Sequence, residues 1–175
     1  MTFDSIRRKY TNLHVGQYVM LKRKKSNFRV DARTFSNGRA SFNCGVAMRD
    51  GTDVIILDMC WGRMGTTYPK LEIRNRATFS NKTEIVQSGT GNQFVFKFPS
   101  GAIVTAKQMK NFLNLAIFVP DTFRGDTDGL CGRFDGNQDN DLKMPNGNVV
   151  RFFQNPSQKP YQFIESWKVR RRYRV

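Results

Sequence analysis

Hydrophobic and polar residues alternate with a period of two along several stretches of this chain, the pattern of half-buried β-strands. The alternation runs through GQYVML (16–21) and NFRVDAR (27–33). It recurs in QFVFKF (93–98), where Phe94, Phe96 and Phe98 share one face, and in Leu113, Leu115, Ile117 and Val119. VIIL (54–57) is continuously apolar and predicts a strand covered on both faces. Turn residues separate these runs. Asn37-Gly38, Asp50-Gly51, Ser100-Gly101 and Asn146-Gly147 predict reversals, and SGTGN (88–92) predicts a wider loop. Strands at this spacing predict a mainly β fold, an antiparallel two-sheet β-sandwich with little helix. Helical spacing shows at 162–167, where Phe163 and Trp167 fall four residues apart.

A chain of 175 residues fits one domain, and the 15 Phe among them favour strands. No apolar run reaches the roughly 20 residues of a membrane-spanning helix, and the opening MTFDSIRRKY has no signal-peptide core. Charge changes the picture more. With 29 Lys and Arg against 14 Asp and Glu, the net charge is +15, which attracts polyanions. The cations cluster at 7–9, at Lys22, Arg23, Lys24 and Lys25, and at 170–172. The Lys22–Lys25 run is a candidate contact for sulfated glycans; its plainer reading is a solvated turn. Nucleic acid is not expected as a partner, because no strand interleaves aromatic and basic residues to stack bases.

Three cysteines, Cys44, Cys60 and Cys131, form no C-x-x-C pair, and with one His they make no zinc site. A disulfide plus an orphan and three buried thiols are both compatible with the composition. A two-residue hairpin loop at Asp50-Gly51 would put Cys44 and Cys60 on opposite faces. Their disulfide therefore requires an odd-length loop or a bulge.

The acidic residues are gathered where the basic ones are not. Asp135, Asn137, Asp139 and Asp141, with Asn140, lie within seven residues. Alternate oxygen side chains on a curling loop are the donors Ca²⁺ uses, and Asn supplies a carbonyl without adding charge. An EF-hand is excluded, since Asn140 and Asn146 stand where that motif needs Gly and Glu. An Asx-rich turn capping its own backbone is the metal-free alternative.

The segment GLCGRFDGNQDND (129–141) resembles the signature of von Willebrand factor type D domains, in which G-L-C-G-N-F-[ND]-G-N leads into acidic residues. FIESWKV (163–169) resembles the family's closing F-x-x-[SE]-W-[KR]-[VI], and MTFD (1–4) the tail of its opening G-D-P-H-[MY]-x-T-F-D-G. CGVAMRDGTDVIILDMC and FPSGAIVTA are most similar to the type D domains of proteins that also carry EGF-like domains. The resemblance covers residues 1–169 and leaves 170–175 as a basic tail.

The resemblance implies a secreted or cell-surface, non-catalytic module of an adhesion, matrix or mucin-like glycoprotein. It implies disulfides, for which Cys44–Cys60 is the candidate pair that the hairpin leaves open, and a structural calcium ion. Carried over position by position, the calcium ligands are Asp135, Asn137, Asn140 and Asp141 from the loop and Asp4 from the opening motif, with Asp139 a further candidate. Arg133 departs from the pattern, standing where the family has an Asn ligand. The family's partner for Cys131 lies upstream of the opening motif, so truncation before Met1 is expected. Self-cleavage at an Asp-Pro bond is not expected, for this chain has none. Asn81-Lys82-Thr83 is a glycosylation sequon, with Asn81 the acceptor. The expected partner is an extracellular protein or glycan, without membrane insertion.

Overall fold

The computed structural model describes residues 15–60, 68–150 and 161–169. Among these, ten strands form two antiparallel sheets, and the expected two-sheet β architecture is what the chain adopts. The first sheet contains β1 (Gly16–Arg23), β2 (Arg29–Ser36), β3 (Ser41–Asp50), β4 (Asp53–Asp58) and β5 (Lys70–Arg74). The second contains β6 (Glu84–Gln87), β7 (Gln93–Lys97), β8 (Ile103–Met109) and β9 (Phe112–Phe118). The two-residue β10 (Thr127–Asp128) returns to the first sheet and pairs with β1, giving the order β10-β1-β2-β3-β4-β5.

The main core lies between the sheets. Alternation places Val30, Val46, Met48, Ile55 and Leu57 of one sheet against Phe94, Phe96, Val104 and Ala106 of the other. Phe28 anchors one end, edge-on to Phe98 and Phe123 at ring-centroid distances of 5.9 and 5.2 Å. Burying a side chain of this size contributes on the order of 1.5–3 kcal/mol. Strand β4 meets its expectation in part: Ile55 and Leu57 are enclosed on one face and Val54 on the other, but Ile56 beside Val54 on that second face is only half-buried.

The β3–β4 hairpin resolves the cysteine geometry. Asp50 pairs with Asp53, so the loop is the two residues Gly51 and Thr52, not an odd-length loop. The alternative device is the one present. Between β2 and β3 the register slips, Arg33 pairing with Gly45 and Thr34 with Asn43, which leaves Cys44 as the extra, bulged residue. Beyond β4 the chain turns, with Cys60 N–H donating to Asp58 Oδ1 at 2.7 Å. Cys44 and Cys60 are thereby brought to a Cα separation of 4.8 Å and are joined by a disulfide.

A second, smaller core closes one end. Helix α1 (Tyr161–Ser166) supplies Phe163 and Ile164, which with Trp167 pack on Tyr18, Val19, Leu130 and Leu142. The helix is where the spacing of Phe163 and Trp167 places it.

Candidate metal-binding loop

The signature segment is built around β1. A bulge in β1 between Val19 and Leu21 turns two carbonyls outward: Val19 accepts from Leu130 N–H at 3.0 Å and Met20 from Cys131 N–H at 2.9 Å. Gly129 allows this approach, because a Cβ there would lie 2.5 Å from the Met20 carbonyl oxygen, and its φ of 134° disfavours any side chain. The closing segment reaches the same edge of this strand, the one opposite β2. Val19 N–H donates to the Trp167 carbonyl, Val169 N–H donates to the Gln17 carbonyl, and Trp167 Nε1–H donates to the Lys143 carbonyl. Two motifs separated along the chain are thus neighbours along one edge of β1.

Beyond Cys131 the loop curls on its own hydrogen bonds. The fully buried Thr127 hydroxyl accepts from Phe134 N–H at 2.7 Å, and Gly125 N–H donates to the Phe134 carbonyl at 2.7 Å. Asp135 Oδ1 accepts from Asn137 N–H at 3.0 Å, and its Oδ2 from Asn140 Nδ2 at 2.9 Å. Asn137 Oδ1 accepts from Asp139 N–H at 3.0 Å, opening a short 3₁₀ turn over Gln138–Asn140. Asp141 is buried, and its Oδ1 accepts from Arg133 N–H at 3.0 Å.

The structure brings Asp135 and Asn140 into contact and ties Asp141 to the backbone of Arg133, while Asn137 and Asp139 stay on the exposed side. Asp4 lies outside the described residues. Among the described residues, no three acidic, His or Cys side chains converge closely enough to hold a metal by themselves. The all-oxygen donor set nonetheless suits a hard cation: Asn140 Oδ1 is buried and accepts no hydrogen bond among the described residues.

Cys131 carries no disulfide within the described residues, and although the residue keeps some surface, burial pushes its thiol up to about 11. At that value the free thiol stays protonated at neutral pH.

The basic run at the β1–β2 turn has partners that no local pattern announces. Asp126 is buried; it takes Arg23 Nε–H at 2.8 Å on Oδ2, and the backbone N–H groups of Lys24 and Lys25 at 3.2 and 3.1 Å on Oδ1. Burial alone would raise its pKa. The Arg23 hydrogen bond and charge, with the two backbone donors, outweigh that and hold the carboxyl below its ordinary value. Lys24 Nζ lies 3.6 Å from Asp128, and Lys22 Nζ sits 5.3 Å above the Trp167 ring. Lys25 is exposed. Asn81 lies on an exposed turn, and the Thr83 hydroxyl of its sequon donates to the buried carboxylate of Asp53.

Two packed antiparallel sheets, with a glycine-rich acidic loop and a C-terminal Trp segment meeting on one strand, define the class of domain. The profile of the von Willebrand factor type D domain matches residues 1–148, and the chain belongs to that family. It is similar to human Sushi domain-containing protein 2, 24% identical over 181 residues that span 97% of this chain and 22% of that protein. Human Mucin-4 is 26% identical over 89 residues, 51% of this chain and 2% of that protein. Otogelin-like protein of Pongo abelii is 25% identical over 92 residues, 53% of this chain and 12% of that protein. The chain thus spans less than a quarter of the length of each of these relatives.

Proposed function

We propose that this domain is a non-catalytic, extracellular structural and binding module whose signature loop binds a structural calcium ion. Asp135, Asn137, Asn140 and Asp141 would hold the ion, with Asp4 as the donor from the opening motif. Bound there, Ca²⁺ supplies a cross-link between chain segments, and its binding free energy adds to the stability of the closed domain. The observation that carries this reading is the buried, hydrogen-bond-free Oδ1 of Asn140 beside Asp135, in a loop docked on β1. Relatives whose names include a mucin and an otogelin-like protein support the extracellular setting. So does the Cys44–Cys60 disulfide, since such bonds persist in oxidising compartments. In that setting Asn81 is the proposed glycan acceptor, and the partner is another extracellular protein or a glycan.

Calorimetric titration with CaCl₂ tests the reading. The expected result is one ion bound with a Kd of about 1 mM, at the weak end for extracellular modules, and binding lost in Asp135→Asn. A titration without heat of binding up to well above that concentration, with terbium luminescence also silent, would remove calcium from the account.

A further inference from the structure

The loop already contains a cation. The guanidinium of Arg133 lies beside one carboxylate of the candidate site, its Nε 3.7 Å from Asp135 Oδ2, an ion-pair distance rather than a hydrogen bond, while the uncharged backbone N–H of the same residue donates to Asp141 Oδ1 at 3.0 Å. A donation from Nη2 to the Gly125 carbonyl at 3.3 Å holds the guanidinium in place. The Arg133 and Asp135 side chains are 24% and 21% exposed, so water screens the pair only partly. On the same side, Arg124 stacks its guanidinium on Phe134, 4.6 Å from the ring centre. Two carboxylates brought together in one loop repel each other, and they ask for one of two remedies: an ion from solution, or a positive charge from the chain. An arginine supplies the second. It is always protonated and keeps several donors in a fixed plane.

We propose that Arg133 is the resident cation of this loop. Its guanidinium takes over charge balance that a bound Ca²⁺ would supply, so the loop closes on β1 without the ion and holds the ion weakly when it binds. The second half of this proposal rests on the calcium reading above; the first half does not.

The experiment is a set of thermal melts of the whole chain in EDTA and in millimolar CaCl₂, with calorimetric calcium titrations of the same proteins. Wild type is expected to melt within about 1 °C in the two conditions, because ligand near its Kd adds little stability. In EDTA, Arg133→Met, which keeps the aliphatic stem, is expected to melt roughly 5 °C lower, whereas Arg133→Lys stays close to wild type. Arg133→Asn, which exchanges the charge for an oxygen donor, is expected to bind calcium about tenfold tighter or more and to regain its melting temperature on adding it.

Wild type and Arg133→Met melting together in EDTA would overturn the proposal whatever calcium does. Equal calcium affinity in wild type and Arg133→Asn would overturn its second half. Calcium binding to neither protein, with Arg133→Met destabilised and Arg133→Lys not, would dismiss the calcium reading and leave Arg133 as the loop's cation.

Discussion

Asp126 shows how a single side chain organises residues far from it in sequence. It lies 103 residues from Arg23, yet it satisfies that guanidinium and caps the backbone of the β1–β2 turn. Four consecutive cations in the sequence look like a free basic patch. In the fold, Arg23 is committed to Asp126, Lys24 is beside Asp128, and Lys22 lies over an indole ring. The pH dependence follows from the lowered pKa of Asp126. A carboxyl whose folded pKa is depressed stabilises the fold above its unfolded value, about 3.9, and loses that contribution as pH falls through the folded value. Asp126→Asn is therefore expected to cost about 1–3 kcal/mol near neutral pH. The difference from wild type should narrow below about pH 4. Urea unfolding of both proteins across that range checks this, and a gap independent of pH would contradict it. None of this was legible in the sequence, because nothing local links Asp126 to position 23.

At the scale of elements, the strands at 16–21, 93–98 and 113–119 were legible because each buries one face and so keeps a strict period of two. β6 gave no such signal, since Glu84–Gln87 is a four-residue edge strand with much exposed surface, and β5, although Lys70–Arg74 alternates strictly, is an edge strand of only five residues, a short run to distinguish from a polar loop. The Cys44–Cys60 pair was half legible. Hairpin arithmetic identified that an odd loop or a bulge was needed, but a bulge leaves no composition mark, and this one arises in the pairing of β3 with β2 rather than with β4. The bridge closes a segment with a sequence separation of 16. Constraining an unfolded loop of that length contributes about 3 kcal/mol. Cys44→Ala with Cys60→Ala is expected to lower the unfolding free energy by about that amount, measured by chemical denaturation against the oxidised wild type. Unchanged stability would show that the sandwich core holds this corner without the bond.

For the whole molecule, the net charge of +15 sets long-range behaviour more than any single cluster does. Retention on heparin is expected, and it should weaken steeply with salt, since screening is nearly complete beyond about 10 Å at 0.1 M. Lys24→Ala with Lys25→Ala removes two of the 29 basic residues and is expected to shift the eluting salt concentration only slightly. A collapse of retention in that double variant would instead locate a specific polyanion site at the β1–β2 turn.

The sequence by itself determined the layers and the family. Periodicity depends on which face of each strand meets the core, and Gly129 of GLCG and the Trp of ESW are required by backbone approach and packing at one strand. The tertiary structure decided what meets what. It seated both motifs on the β1 bulge, paired Arg23 with Asp126, and turned Arg133 toward Asp135. The first two join segments distant along the chain, and the third is set by how the loop curls. Their energy depends on separation in space, a quantity that residue order does not contain.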